Sequence, residues 1–425
     1  MDLIFLNRFF YPDHSATSQL LTDLTFHLAA KGHRVRVIAG RQGYLDARAR
    51  LPARETVQGV EVHRVWSSRF GRAGLMGRAV DYVSFYVSAG WRLRRLARAG
   101  DLVVAMTDPP LTSVLVHWVL AGRQARLVNW LQDLFPEVAE ALGVRALGGW
   151  LGRRVQHWRD RSLRGAALNV AIGERMAERV RAAGVAAARV RVIHNWADGA
   201  AIAPLAPTQN ALRRAWGLAD AFVVAYSGNL GRAHTYATVL AAARLLSASG
   251  TADGAAAGRA GDAAVAPVRP VVFLFIGSGH QVPELCAEVA RLGLRTVHFV
   301  PYQAREDLRL SLGVADVHWI SLRPTLEGLI VPSKFYGVAA AGRPVLFVGD
   351  ADGEIPRLLA AHDCGTCVAE GDAAGFAAAV CRLRDDEGLR ARQAANARRL
   401  LEARFEQQRA LAAWEALLGE VARSC

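Results

Sequence analysis

The chain has 425 residues, with 52 Lys+Arg against 38 Asp+Glu (a formal charge of +14), 52% hydrophobic and 21% charged side chains. That length accommodates two domains of ~150–200 residues each, and the composition supplies buried cores and excludes intrinsic disorder. The longest uncharged run, residues 109–122, is 14 residues, short of the ~20 that a transmembrane helix requires. Five cysteines in a chain this long do not make a disulfide framework.

A short apolar run at 3–6 predicts a first strand, followed by a polar loop (8–17), a helical pattern (18–31) ended by Gly32-His33, and a strand at 34–39. No basic region precedes the first apolar run, so no secretory signal is expected, and the reading places the protein in the cytoplasm. Further β-rich runs follow at 60–65, 102–106, 127–131, 168–172 and 190–193. Near-continuous apolar strands between helical segments predict parallel sheets covered on both faces. Proline and alanine thicken between 196 and 207, where an interdomain linker is expected. The alternation restarts at 222–226, 271–276, 297–300, 317–321 and 345–348. The expected architecture is therefore α/β, with two doubly wound Rossmann-like domains, 1–200 and 208–425, facing across a cleft. The last helix is a candidate to pack back on the first domain. The Gly/Ala-rich stretch 249–267 reads as a mobile surface loop.

The charge is uneven. Residues 1–207 hold 29 basic and 16 acidic side chains, whereas 208–425 hold 23 and 22. No zinc finger, RNA-recognition signature or basic arm is present, so the first half is expected to face an anionic membrane and not nucleic acid. Two stretches carry aromatic and cationic residues together: 82–98 (Phe85, Tyr86, Trp91, Arg92, Arg94, Arg95) and 150–164 (Arg153, Arg154, Trp158, Arg159, Arg161). A buried aromatic face beside a solvated arginine face would look the same. Fifty of the 52 basic residues are arginines and only Lys31 and Lys334 are lysines, which makes each lysine informative.

Three motifs in the second half point to phosphate and sugar chemistry. Ser227-Gly228-Asn229-Leu230-Gly231-Arg232 follows a strand, where glycine amides approach a phosphate and a guanidinium pairs with it. Glu327-Gly328 and Pro332-Ser333-Lys334 follow another strand: Ser333 is the expected N-cap, and Lys334 in the first helical turn is favourable only with an anion beside it. Glu327 could accept hydrogen bonds from sugar hydroxyls. Gly353-Glu354 begins a third helix after a strand. In the first half, His14 lies in the first strand-to-helix loop and Gln132-Asp133 closes another strand; both are candidate acceptor-side groups. Cys364-Gly-Thr-Cys367 has redox spacing with no second pair, and structural cysteines are expected. No metal-ligand cluster is recognisable.

Together with Tyr11-Pro12, Gly32-His33, Pro136-Glu137, Phe275-Ile276-Gly277-Ser278-Gly279 and Gly342-Arg343-Pro344, these motifs resemble the family-4 retaining glycosyltransferases of the GT-B fold, particularly bacterial enzymes that build cell-surface polysaccharides. The resemblance spans nearly the whole chain. It implies a metal-independent hexosyltransferase without a cofactor, moving a sugar with retention from a nucleotide-diphosphate sugar to a polyprenyl-linked saccharide at the inner face of the cytoplasmic membrane. It further implies that Arg232 and Lys334 hold the diphosphate, with Gly228, Asn229, Gly277, Ser333, Gly353 and Glu354 lining the donor site. Glu327, Asp133 and His14 would serve catalysis. One position departs from the family's Glu-x7-Glu element: Phe335 stands where the second glutamate belongs, or Gly337 when the Gly342-Arg343-Pro344 turn sets the alignment. Glu354 or backbone near Tyr336-Gly337 would then hold the ribose. A nucleotide-sugar 2-epimerase of the same fold and a non-catalytic bilobed binding protein are the alternatives. The first would not need a basic, aromatic first domain, and the second would carry an export signal.

Overall fold

A computed structural model describes residues 1–43, 51–71, 74–144, 149–256 and 268–424. The chain divides into two compact units: Met1–Asn195 with Gly328–Val331 and Gln408–Cys425, and Trp196–Glu327 with Pro332–Gln407.

The first unit is built on β1 (Asp2–Leu6), β2 (Arg34–Gly40), β3 (Arg54–Val57), β4 (Val60–Val65), β5 (Leu102–Ala105), β6 (Arg126–Leu131), β7 (Leu168–Ala171) and β8 (Val190–Val192). Their order is β3-β4-β2-β1-β5-β6-β7-β8. Every pairing is parallel except β3–β4. The final helix, Gln407–Arg423, buries Leu411, Trp414, Leu418 and Val421 at helical spacing, and Trp414 lies against Trp130 at 4.6 Å between ring centroids.

The second unit is built on β9 (Phe222–Ser227), β10 (Val271–Ile276), β11 (Val297–Val300), β12 (Val317–Ser321), β13 (Val345–Val348) and β14 (Gly365–Val368), in the order β11-β10-β9-β12-β13-β14 and parallel throughout. Alternate residues along each strand feed opposite faces. Val224, Tyr226, Phe273, Phe275 and Trp319 join one core, while Val223, Ala225, Leu274 and Ile276 join the other. Covering both faces is what allows the strands to be apolar at successive positions. The chain reverses direction across the sheet between β1 and β5 in the first unit, and between β9 and β12 in the second. At such a reversal the loops leaving the strand ends diverge and open a ligand crevice. Register at the second reversal is pinned by buried Asp316, whose Oδ2 accepts from the Val223 amide (2.8 Å) and from Arg213 Nη2 (2.9 Å).

Three details differ from the sequence reading. The edge strands β3 and β14 were not expected, because neither has an apolar run: β3 is half-exposed along its length, and β14 is Gly-Thr-Cys-Val. The stretch read as a loop from 249 is helical to Ala256, continuing the Ala237–Ala256 helix, as its alanine content favours. The rest of that stretch, 257–267, lies outside the described residues. Gly328–Val331 groups with the first unit, interrupting what the sequence suggested was a contiguous second domain.

Candidate functional site

The turns after β9 and β10 cross at backbone contact. Gly228 and Gly277 have φ of +124° and +126°, and a Cβ on Gly277 would lie 2.4 Å from the Gly228 carbonyl oxygen. Only glycine meets both demands. Beside the crossing is a cavity of about 230 Å³, lined by Tyr226, Leu230, Phe275, Phe299 and Pro301 with the two glycines. Asn229 and Arg232, on the same turn, are exposed. The Arg232 guanidinium has no ion-pair or hydrogen-bond partner among the described residues.

Lys334 opens the helix Lys334–Ala340. That helix has seven residues, and Ser333, although at its N-cap, makes no side-chain capping bond. The anion-favouring feature is therefore the lysine and not the helix terminus. Its Nζ lies 2.9 Å from His234 Nε2 and 5.2 Å from the centre of the Tyr226 ring, and its stem packs against Gly228. No carboxylate pairs with it among the described residues. Burial pulls its pKa down to about 7. Burial and the adjacent lysine pull His234 down to about 3.

Glu327 is buried, and its Oε2 accepts the amide of Glu354 at 3.3 Å. The carboxylate thus stands at the N-terminus of the helix Glu354–His362, where helix electrostatics favour it. A Cβ on Gly353 would come within 2.3 Å of Glu327 Oε1, so Gly353 leaves the space the carboxylate occupies. Glu354 is also buried. Neither position in line for the second glutamate carries a polar side chain. Phe335 is fully buried against Phe405, and a side chain on Gly337 would start 3.4 Å from Leu312.

In the first unit, Asp133 leaves the end of β6 and bridges to Ile330, with the Leu134 amide donating to the Leu329 carbonyl at 2.9 Å. Burial raises its pKa to about 6, against a hydrogen bond from Thr107 that lowers it; Oδ1 has no partner. Tyr82 stands close enough for burial, Asp108 and Asp133 to raise its pKa against Arg8 and Arg78, and the Arg8 guanidinium lies 5.2 Å from its ring centre. His14 is exposed, and its ring has no partner among the described residues.

The basic, aromatic stretches divide differently from the sequence expectation. Phe85 is core, the Tyr86 hydroxyl donates to the Pro110 carbonyl, and Arg159 is buried in ion pairs with Glu137 and Asp160. The exposed apolar stripe of the Leu75–Leu96 helix is Met76, Val80, Val83, Val87 and Trp91, spaced as one helical face, with Arg95 stacked on Trp91 at 3.7 Å. The neighbouring helices Thr112–Leu120 and Trp150–Gly165 add exposed Trp118, Trp150 and Trp158. No described helix is long and apolar enough to cross a membrane.

Cys364 and Cys367 are unbridged thiols whose pKa values burial pushes up to about 12 and about 11, consistent with inert packing. No described group of three His, Cys, Asp or Glu residues could hold a metal ion. His234, Tyr226, Ser321, Thr107 and Tyr82 escaped the sequence reading. His234 is two residues beyond Arg232 in a turn already marked by its glycines, but only the fold brings it to Lys334, 100 residues away in the chain.

Residues 17–196 match the family model of the glycosyl transferase 4-like domain, and residues 259–386 match that of the glycosyl transferases group 1. A protein of Escherichia coli (strain K12) bearing the name colanic acid biosynthesis glycosyl transferase WcaI is 24% identical over 359 residues, 82% of this chain and 83% of that protein. Among solved structures, Anabaena Alr3699/HepE in complex with UDP-glucose superposes with a TM-score of 0.70 at 17% identity, covering 99% of this chain and all of that one. Sucrose-phosphate synthase from Thermosynechococcus elongatus gives 0.74 at 16% identity, with both chains fully covered.

The Glu327–Gly353 contact sets one expectation. Gly353→Ala should force the carboxylate off the helix terminus and lower unfolding free energy by about 1–3 kcal/mol, the usual overpacking cost. Chemical denaturation measures it; a change within about 0.3 kcal/mol would show that the carboxylate is not held there.

Proposed function

We propose that this chain, a member of the family-4 type of GT-B glycosyltransferases, transfers a hexosyl group from a nucleotide-diphosphate sugar to a saccharide on a polyprenyl carrier in surface polysaccharide synthesis. The observation that carries the donor assignment is Lys334. It is a half-buried amine with no carboxylate partner among the described residues, at the strand ends where the second sheet reverses. Burial lowers its pKa to about 7, and an anion beside it would restore the charged form at neutral pH and above. A diphosphate against Lys334, with Arg232 reaching from the exposed rim, would leave the apolar cavity beside Gly228 and Gly277 for the base. That HepE is described with UDP-glucose, and that WcaI carries a colanic acid name, supports the donor class and the polysaccharide context.

In this reading the bond from the sugar C1 to the diphosphate oxygen breaks and the nucleoside diphosphate leaves. Lys334 and Arg232 stabilise its charge, so the chemistry is written without a metal. The acceptor oxygen attacks C1 on the face the leaving group vacates, which retains configuration. Asp133 takes the acceptor's proton. Glu327 holds the start of the Glu354 helix through the Glu354 amide, and the Glu354 carboxylate contacts the donor in place of the missing second glutamate. The exposed stripe from Met76 to Trp91, with the tryptophans of the adjoining helices, docks on an anionic membrane surface where the carrier lipid resides.

The test is a screen of nucleotide sugars with a membrane lipid extract, following free nucleoside diphosphate and glycosylated lipid together. Lys334→Ala should weaken binding of the productive nucleotide sugar by about 10–100-fold, as loss of a charged hydrogen bond to phosphate does. Unchanged affinity would remove the assignment, and epimerised sugar formed without lipid would favour an epimerase. For Asp133, a base must be ionised, so kcat should fall as pH drops below about 6. Asp133→Asn should abolish that limb and reduce kcat by about 10²–10⁴-fold. Membrane docking predicts sedimentation with phosphatidylglycerol vesicles at low ionic strength. Val87→Glu with Trp91→Glu should cut this at least about tenfold, and equal sedimentation of the double variant would refute the surface.

A further inference from the structure

The turn after β9 and the end of β12 are joined through one imidazole. His234 Nδ1 lies 2.5 Å from the carbonyl oxygen of Ser321. A carbonyl only accepts, so Nδ1 carries the proton and Nε2 presents a lone pair. The Lys334 ammonium, 2.9 Å away, donates to that lone pair. Neighbouring bonds fix the ring: the Thr235 amide donates to Ser321 Oγ at 3.0 Å, and that hydroxyl donates back to the Thr235 carbonyl at 2.8 Å. The Arg323 amide reaches the Ala233 carbonyl at 3.0 Å. Tyr226 packs edge-on to the imidazole at 6.1 Å, while its hydroxyl donates to the Asn229 carbonyl at 2.9 Å.

What matters is the charge of the group that holds the lysine. A carboxylate in place of His234 would grip the ammonium more tightly, but it would cancel the charge that a diphosphate needs. An apolar residue would leave the four-carbon stem free to rotate. A neutral imidazole of fixed tautomer orients Nζ through one of its three protons and leaves two protons and the full charge for the ligand. Resting on the donor reading above, we propose that His234 is a positioning residue for the nucleotide sugar, a permanently neutral acceptor that aims Lys334 at the diphosphate without neutralising it.

A proton linkage follows. Among the described residues, the titratable groups in contact with Lys334 are His234 and Tyr226; burial keeps both uncharged at neutral pH, and Arg232 on the same turn as His234 is exposed. Below pH about 7 the lysine is charged with or without donor, and affinity is flat. Above it, the empty site holds a neutral lysine and binding must take up a proton. Affinity then falls by up to about tenfold per pH unit until the raised pKa of the bound state is reached.

The experiment is calorimetric titration of the productive nucleotide sugar, whose diphosphate has no proton to exchange in this range, from about pH 6 to 9.5. Lys334→Ala is the control on the underlying reading: if it binds like wild type, the donor assignment itself has failed. If it binds weakly, the His234 variants decide. His234→Gln, whose amide oxygen can accept from Lys334 while staying neutral, should restore affinity to within about threefold, whereas His234→Leu should lose about tenfold or more. His234→Glu should lose at least as much as the leucine variant and flatten the decline above pH 7, because its charge keeps the lysine protonated. Wild-type affinity in His234→Leu, or a tighter His234→Glu, overturns the proposal. Because the chain has only two lysines, ¹⁵N-lysine labelling gives a second readout on the unaltered protein. The Lys334 titration midpoint should rise by more than about one unit when the nucleotide sugar is added, and a fixed midpoint overturns the proposal even if the leucine variant does not fold.

Discussion

A half-buried cation with no counter-charge among the described residues is the constraint around which the second unit is organised. Lys334 sits where the β9 and β12 ends diverge, against a ring and an imidazole that offer it no negative charge. In a finished core this would be a fault, since burying a charge costs several kcal/mol unless a partner is supplied. At a ligand crevice it is a vacancy in the charge balance that an anionic substrate fills. The neighbouring features serve that arrangement. Glycines at the crossing of two turns let the backbones approach, and the Ser321–Thr235 bonds hold the imidazole in its tautomer. Asp316 fixes the strand register from the opposite end of the sheet.

Glu327 illustrates how one side chain can be functional through the backbone it organises. Its carboxylate occupies the space a side chain at Gly353 would fill, and it accepts the first amide of the following helix. The loop between β12 and Lys334 and the start of the Glu354 helix are thereby held as one piece. The chain continues from Glu327 into Gly328–Val331, which pairs with the Asp133 strand end of the first unit.

The first unit carries an asymmetry of its own. Arg78, Arg92, Arg94 and Arg95 share the helix that carries its exposed apolar stripe, and the tryptophans of three adjacent helices are left in solvent. An isolated exposed aromatic needs no explanation, but a helical face of five consecutive apolar positions does.

Two doubly wound sheets, twelve of the fourteen strands and the glycine-rich turns were legible in the sequence, because they depend on apolar runs and on residues with special backbone demands. Lys334 was legible for a statistical reason, as one of two lysines among fifty arginines. Edge strands β3 and β14 were not, since a strand paired on one side needs no continuous apolar run. Nor could linear order show that Phe85 and Arg159 face inward while Val83 and Val87 face outward, because a helix distributes neighbours over all its faces. Local pattern and composition determined the elements, the sheets and the chemistry of the turns. Only the tertiary structure decided that His234 meets Lys334, that Glu327 meets Gly353, and that Asp133 keeps an unpartnered oxygen. Those pairings join segments far apart in the chain, and nothing in the local backbone specifies them until the sheet brings the strand ends together.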